Sequence, residues 1–116
     1  MKNDSPPDLL PEMPLEIAAS KFAALGSEQR LNVLKTLVRS GPEGLSIGEL
    51  GQRAGVGGST LTHHLRILTQ AGLITQARKG RSTICAAADY SEVRSLSEFL
   101  LTHCCADCPA PEHDHD

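Results

Sequence analysis

The chain has few aromatic residues, with no tryptophan, one tyrosine and two phenylalanines among 116 residues. Proteins that bind RNA or single-stranded DNA stack bases on aromatic side chains, so this composition argues against such a protein. No stretch approaches the roughly 20 apolar residues of a membrane-spanning helix, and the first residues lack the basic region and apolar run of a secretory signal. We therefore expect one small cytoplasmic domain with a single core.

Acidic side chains are absent from residues 57 to 79, although the chain as a whole has 14 Asp and Glu against 11 Lys and Arg. The charges are segregated, since residues 29 to 81 carry eight basic side chains and two acidic ones. Phosphates attract Lys and Arg and repel carboxylates. The central part of the chain is therefore a candidate for binding duplex DNA, provided that the acidic ends face elsewhere.

Residues 59 to 74 predict a helix with two chemically opposite faces that ends at Gly72 and runs directly into a strand. Leu61, Leu65 and Leu68 recur at the spacing of a buried stripe, and His64 is expected to pack beside it. The outer face is short and polar, which suits the major groove of DNA better than the Glu and Lys pairs of an ordinary solvated helix do. The DNA contacts predicted on this helix are Ser59, Thr60, Thr62, His63 and Arg66.

Two helices are predicted ahead of this reading helix. The first runs from after Pro14 to Gly26, and the second, residues 28 to 39, is capped by Ser27. Its core-facing residues are expected to be Leu31, Leu34, Leu37 and Val38. Residues 1 to 14 contain four prolines and predict a flexible lead.

A short helix is predicted to precede the reading helix directly. Ser46 and Glu49 form a capping box that opens it, and it runs to Ala54. Gly55 supplies the left-handed turn of a helix-turn-helix, which places the start of the reading helix at about Gly57.

A β-hairpin is predicted after Gly72, from strands at 73 to 78 and 82 to 87 around Lys79 and Gly80. Basic side chains cluster at its tip, where a small loop can lie beside the minor groove and bind phosphates. These candidate DNA contacts are Arg78, Lys79 and Arg81. A solvated basic turn is the alternative interpretation.

Asp89 is expected to cap a last helix from Tyr90 to about Cys108, where Pro109 blocks its continuation. The apolar stripe of this helix consists of Val93, Leu96, Phe99, Leu100 and Cys104. One small core cannot easily bury both this stripe and the apolar side of the first helix. We expect the two helices to pair across a two-fold axis. The sequence thus predicts a mainly α winged helix-turn-helix domain over residues 15–108, with a disordered tail at 109–116.

With these elements in place, the chain resembles the ArsR/SmtB metalloregulators. The resemblance spans roughly residues 15 to 103, and the matching segments are residues 24 to 31 with Val33 and Leu34, residues 50 to 56, residues 59 to 74, and Gly80 with Arg81. It implies a homodimer that occupies operator DNA when free of effector and leaves it when the effector binds.

Two sensor patterns of the family are missing. Residues 46 to 54 lack the Cys-x-Cys pair of the best-known arsenic repressors, and the terminal helix offers only His103 where zinc and cobalt sensors use Asp, His and Glu. Cys104, Cys105 and Cys108 instead resemble the C-terminal thiol triad of another branch of arsenic repressors. As(III) and Sb(III) form three-coordinate complexes with thiolates, so we predict that these cysteines bind one of them.

Three other interpretations of the cysteines remain open. Zinc would need four ligands, which Cys105 and Cys108 can supply together with His113 and His115. Oxidation or persulfidation of the neighbouring thiols would make a redox sensor, and the three cysteines can also be incidental. The lone Cys85 is expected to pack in the core. An enzyme such as an arsenate reductase is disfavoured, because none of the cysteines lies in a phosphate-type loop.

Overall fold

Residues 13–102 and 104–109 are described by the computed structural model, so most of the predicted lead and tail, and also His103, lie outside the described residues. The described residues form five helices and three short strands. Their bounds are α1 Leu15–Ala24, α2 Glu28–Ser40, β1 Leu45–Ser46, α3 Ile47–Ala54, α4 Gly58–Gln70, β2 Ile74–Lys79, β3 Ser82–Ala87 and α5 Tyr90–Leu101.

Side-chain caps start three of the helices where the sequence predicts them. The Ser27 hydroxyl accepts a hydrogen bond from the backbone N–H of Arg30 at 3.3 Å, and Ser46 accepts one from Glu49 at 3.2 Å. Asp89 caps α5 by accepting from the N–H of Ser91 at 3.1 Å. Each cap satisfies an N–H that the first turn of a helix leaves free, which is why these local patterns fix the helix starts.

The core is built mainly from leucines. The stripe of α4 is buried as predicted, with Leu61, Leu65 and Leu68 joined by Leu37, Leu50 and Leu73. For α2 the prediction was partly wrong, because Leu31 and Val38 are 44% and 45% exposed and Val33 is buried instead. The buried stripe of α2 runs through residues 33, 34 and 37, and residues 31 and 38 lie about a quarter-turn or more to its side.

The hairpin is part of a three-stranded antiparallel sheet with the order β1-β3-β2. Lys79 pairs with Ser82, which leaves Gly80 and Arg81 as a two-residue turn with φ +63° at Gly80. This confirms the predicted wing. The sequence did not reveal β1, which is only two residues long and pairs Leu45 with Cys85.

The last helix is shorter than predicted, since α5 ends at Leu101 rather than near Cys108. Every described residue from Thr102 to Pro109 is exposed, so no packing stabilises further helical turns there. Cys105 has a left-handed φ of +63°, which interrupts a helix. The cysteines therefore follow α5 in a turn.

Large apolar side chains of α1 and α5 stay exposed in the single chain. Leu15 is 72% exposed on α1, and Leu100 and Leu101 are 68% and 63% exposed at the end of α5. The larger apolar side chains of α1, Leu15, Ile17 and Phe22, are thus exposed, whereas Ala18 and Ala24 face the interior with Lys21. No helix in the described ranges is long and apolar enough to cross a membrane.

Gly44 is the position where the fold most strictly requires glycine. Its φ is +76°, and a Cβ there would lie 2.3 Å from the carbonyl oxygen of Cys85. We predict that Gly44→Ala lowers the free energy of unfolding by roughly 2–5 kcal/mol, from strain and steric overlap. Gly48→Ala is the matched control, because its Cβ meets nothing within 4 Å inside α3, and it should stabilise by up to about 1 kcal/mol. Urea denaturation measures the free energy of unfolding of both variants. Similar changes in the two variants would contradict the close approach of Gly44 to the Cys85 carbonyl.

Candidate nucleic-acid interface and thiol cluster

All the side chains predicted to contact DNA are exposed. On α4 they are Ser59, Thr60, Thr62, His63 and Arg66, and on the wing they are Arg78, Lys79 and Arg81. No acidic residue occurs in the sequence between Glu49 and Asp89. The reading helix and the wing therefore form a surface without carboxylates, as binding to a phosphate backbone requires.

The turn between α3 and α4 sets the position of the reading helix. Gly55 ends α3 with a left-handed φ of +73°. At Gly51 a Cβ would lie 2.8 Å from the carbonyl oxygen of Val56, so α3 and the turn are in close contact. Gly57 is the N-cap of α4 and has no side chain to occupy the first N–H groups. This geometry is that of a helix-turn-helix, and it confirms the prediction from the sequence.

A shallow cavity of about 230 Å³ separates the reading helix from the wing. Arg66 and Thr62 line it, together with Thr69 of α4 and Gln76 of β2. The amide nitrogen of Gln76 donates a hydrogen bond to the Thr69 hydroxyl at 3.0 Å, which ties the first strand of the wing to the reading helix. Neither Thr69 nor Gln76 was predicted from the sequence, although Thr69 extends the spacing of Thr62 and Arg66 by three positions.

The two neighbouring histidines of α4 have different environments. His63 is exposed, whereas His64 is buried with its Nε2 2.8 Å from Oε1 of Gln29. Its Nδ1 is buried and has no hydrogen-bond partner within the part of the chain that the structure describes. Burial, and then the charges of Arg30 and His63, lower the pKa of His64. His64 is thus a neutral packing residue, as expected, and His63 is the one available to DNA.

The three C-terminal cysteines are exposed in the turn after α5. The sulfur atoms of Cys104 and Cys105 are 3.7 Å apart. The hydrogen bond with Cys105, and secondarily its charge, raise the pKa of Cys104, which favours the protonated thiol. Among residues 13–102 and 104–109, no three Cys, His, Asp or Glu side chains are grouped closely enough to hold a metal ion. One pair of thiols is therefore in contact, and Cys108 would have to approach it to complete a triad.

Cys85 is separate from this cluster. It is fully buried in β3, where it pairs with Leu45 of β1 and Gln76 of β2. Burial raises the pKa of its thiol. These observations confirm the prediction that Cys85 packs in the core.

Comparison with known proteins identifies the central segment. Residues 25–77 match the family described as a helix-turn-helix domain. The chain is 33% identical over 87 residues to the "Uncharacterized HTH-type transcriptional regulator YceK" of Bacillus subtilis (strain 168), which covers 75% of this chain and 86% of the relative. These matches are to regulators, and they favour DNA binding over the enzyme alternative.

Solved structures share the fold. The homodimeric winged helix-turn-helix DNA-binding domain of Mb0332 from Mycobacterium bovis, a possible ArsR-family regulator, superimposes with a TM-score of 0.63 at 20% identity, over 86% of this chain and 90% of that one. An ArsR family transcriptional regulator, RHA00566, gives 0.66 at 24% identity, over 79% of this chain and 91% of that one. The winged helix-turn-helix fold predicted from the sequence is thus confirmed.

The lowered pKa of His64 makes the stability of the fold depend on pH. The folded state binds a proton at His64 less readily than the unfolded chain, whose histidine pKa is about 6.5. This contribution to stability is complete above that pH and is lost as the pH falls below it. We predict that the wild-type protein loses more stability between pH 7.5 and 5.5 than His64→Gln does, as measured by urea denaturation. His63→Gln, the control, should lose as much stability between these pH values as the wild type does. The same loss in His64→Gln would contradict the argument that burial lowers the pKa of His64.

The basic wing should make duplex binding depend on salt. Removing one contact between a basic side chain and a phosphate changes the slope of log K against log salt concentration by about 0.9. Because a dimer has two wings, Arg81→Ala should flatten the slope by about twice that amount, which fluorescence anisotropy at several salt concentrations would measure. Lys35→Ala removes an exposed charge from α2, an element that supplies none of the predicted DNA contacts, and should leave the slope unchanged. Equal slopes for the wild type, Arg81→Ala and Lys35→Ala would show that the wing does not contact the DNA.

Proposed function

Because the chain belongs to the HTH-type transcriptional regulators, we propose that it is a homodimeric repressor of the ArsR/SmtB type. It occupies operator DNA when free of effector and leaves it when As(III) or Sb(III) binds Cys104, Cys105 and Cys108. The observation that carries this assignment is the exposed thiol cluster at the end of α5, in which two sulfur atoms are already in contact at 3.7 Å.

Exposed apolar side chains of the outer helices support the dimer. Leu15 and Ile17 of α1 and Leu100 and Leu101 of α5 are between 45% and 72% exposed, and large apolar side chains that lie together on a surface mark an interaction site. α1 also packs against α5 within the chain. An interface built from both helices would cover these side chains and set the distance between two reading helices.

The DNA-binding surface supports a sequence-specific regulator. Thr62 and His63 lie on the exposed side of α4, where hydrogen-bonding groups can reach base edges in the major groove. Lys79 and Arg81 lie at the wing, where positive charge binds phosphates. Base contacts and phosphate contacts thus come from two different elements that Gln76 and Thr69 hold together.

Arsenic and antimony suit the cluster better than zinc does. Both are soft ions that three thiolates satisfy, whereas zinc takes four ligands. Of the zinc ligands that the sequence offers, His113 and His115 lie outside the described residues. Neutral arsenous acid condenses with three thiols to form three As–S bonds and three water molecules. The raised pKa of Cys104 keeps a thiol protonated for that condensation.

A thiol-redox sensor is the second candidate. The contact between the sulfur atoms of Cys104 and Cys105 favours it, because a thiol oxidised to a sulfenic acid or a persulfide reacts further with a thiol close to it, and Cys108 lies in the same turn. Such a sensor would need the same cysteines and the same DNA-binding surface. Only the effector distinguishes it from the metalloid repressor.

The decisive experiment titrates the reduced protein, bound to a duplex selected from random sequences, with arsenite, antimonite, zinc and a persulfide. We predict that arsenite or antimonite releases the DNA from the wild-type protein. Replacing any one of Cys104, Cys105 and Cys108 by Ser should leave DNA binding intact and strongly weaken that release. Cys85→Ala is the matched control and should respond as the wild type does, since Cys85 lies in the core.

Proton release separates the metal from the metalloid. Zinc displaces protons from thiols, so its binding acidifies a weakly buffered solution, whereas the hydroxyl groups of arsenous acid combine with the thiol protons and leave as water. If zinc releases the DNA and acidifies the solution while arsenite has no effect, the effector is zinc and not a metalloid. Release by the persulfide alone would instead make the protein a redox sensor.

A further inference from the structure

Lys21 is a buried cation that joins three helices. Its side chain is 9% exposed, although lysine is almost never buried without partners. The ammonium of this α1 residue donates a hydrogen bond to the carbonyl oxygen of Ala71, at the C-terminal end of the reading helix. It also lies 3.8 Å from Oε1 of Glu92, in the first turn of α5. A single side chain thus contacts both the DNA-reading helix and the terminal helix.

The end of the reading helix is shaped to accept this ammonium. The N–H of Gly72 bonds to the carbonyl of Thr69 at 2.9 Å, and the N–H of Leu73 bonds to that of Leu68 at 3.0 Å. These bonds close the helix and leave the Ala71 carbonyl to Lys21. Gly72 has φ +76°, and a Cβ there would lie 2.9 Å from the nitrogen of Lys21. A positive charge at this point also interacts favourably with the helix dipole.

The ion pair with Glu92 connects the contact between Lys21 and Ala71 to the terminal helix α5. The desolvation of a buried ammonium must be offset by its partners, and here the partners belong to two different elements. If α5 moves, the distance between the Glu92 carboxylate and the Lys21 ammonium changes. The strength of the hydrogen bond between Lys21 and the Ala71 carbonyl then changes as well. The other end of α5 leads directly into the turn that holds the cysteines.

We propose that Lys21 is a positioning residue that holds the C-terminal end of the reading helix to α5, so that the terminal helix controls DNA affinity through it. For the response to an effector, the inference rests on the proposed function, because the cysteines follow α5. The DNA affinity of the effector-free protein depends on the Lys21 contacts alone and tests the inference independently.

The test compares Lys21→Met, Glu92→Gln and the double variant in the full chain, with Glu98→Gln as the control, an exposed carboxylate on the same helix. Methionine keeps the apolar stem of lysine and removes the donor. Without effector, Lys21→Met should bind the selected duplex about tenfold more weakly, the scale of removing a charge-assisted hydrogen bond. Glu92→Gln should lose about threefold as a single variant and nothing further in the Lys21→Met background, because it acts through Lys21.

Two further readouts distinguish positioning from a general loss of stability. Lys21→Met removes one partner of the Ala71 carbonyl and should lower the melting temperature somewhat, so binding is compared well below that temperature, where the variant stays folded and the amide of Leu73 should still exchange faster with solvent than in the wild type. The ratio of duplex Kd with arsenite to Kd without it should fall at least fivefold in this variant.

Additive losses from Lys21→Met and Glu92→Gln, or the same loss in Glu98→Gln, would overturn the inference. Where arsenite does release the wild-type protein, an unchanged arsenite ratio in Lys21→Met would overturn it as well. If Lys21→Met does not fold, Glu92→Gln must still weaken binding where Glu98→Gln does not, or the inference fails. A wild-type protein that arsenite does not release would defeat the proposed function, and the effector-free comparison would still decide the role of Lys21.

Discussion

Burial of one side of the reading helix is the constraint on which the rest of the structure depends. Leu61, Leu65 and Leu68 are at most 2% exposed, and they pack with residues of α2, α3 and the sheet. A helix that is fixed on one side can present only the opposite side to a partner. The polar and basic side chains of α4 therefore face outward, and they are available to DNA without any rearrangement of the core.

The same small core explains why the outer helices remain incompletely covered. Leucines of α2, α3 and α4 fill the interior, and α5 contributes only Leu96 among its buried residues. Leu100 and Leu101 at the end of α5 stay exposed among the described residues, and the cysteines lie in an exposed turn after Leu101. Because these thiols are exposed, the proposed effector would reach them from solution, and their connection to α5 would carry a change at the turn toward the interior.

Much of the fold was predictable because its signals are local. Ser27, Ser46 and Asp89 mark helix starts through side-chain oxygens that bond to N–H groups two or three residues away, and Gly55 and Gly80 mark turns through their positive φ. The prediction was wrong for Leu31, Val38 and the end of α5, because neither the exact side of a helix that is buried nor the length that packing supports is encoded within one segment.

The sequence by itself determined the order of the elements, the segregation of charge that leaves the reading helix and the wing without carboxylates, and the candidate contacts with DNA. Each of these follows from residue types at fixed spacing. The tertiary structure alone decided how distant segments meet. It showed the pairing of Leu45 with Cys85, the bond between Gln76 and Thr69, and the burial of Lys21 against Ala71, 50 residues away. The physical reason is that such contacts depend on how the helices and the sheet pack around one core. The spacing of residues along the chain does not show which distant segments this packing brings together.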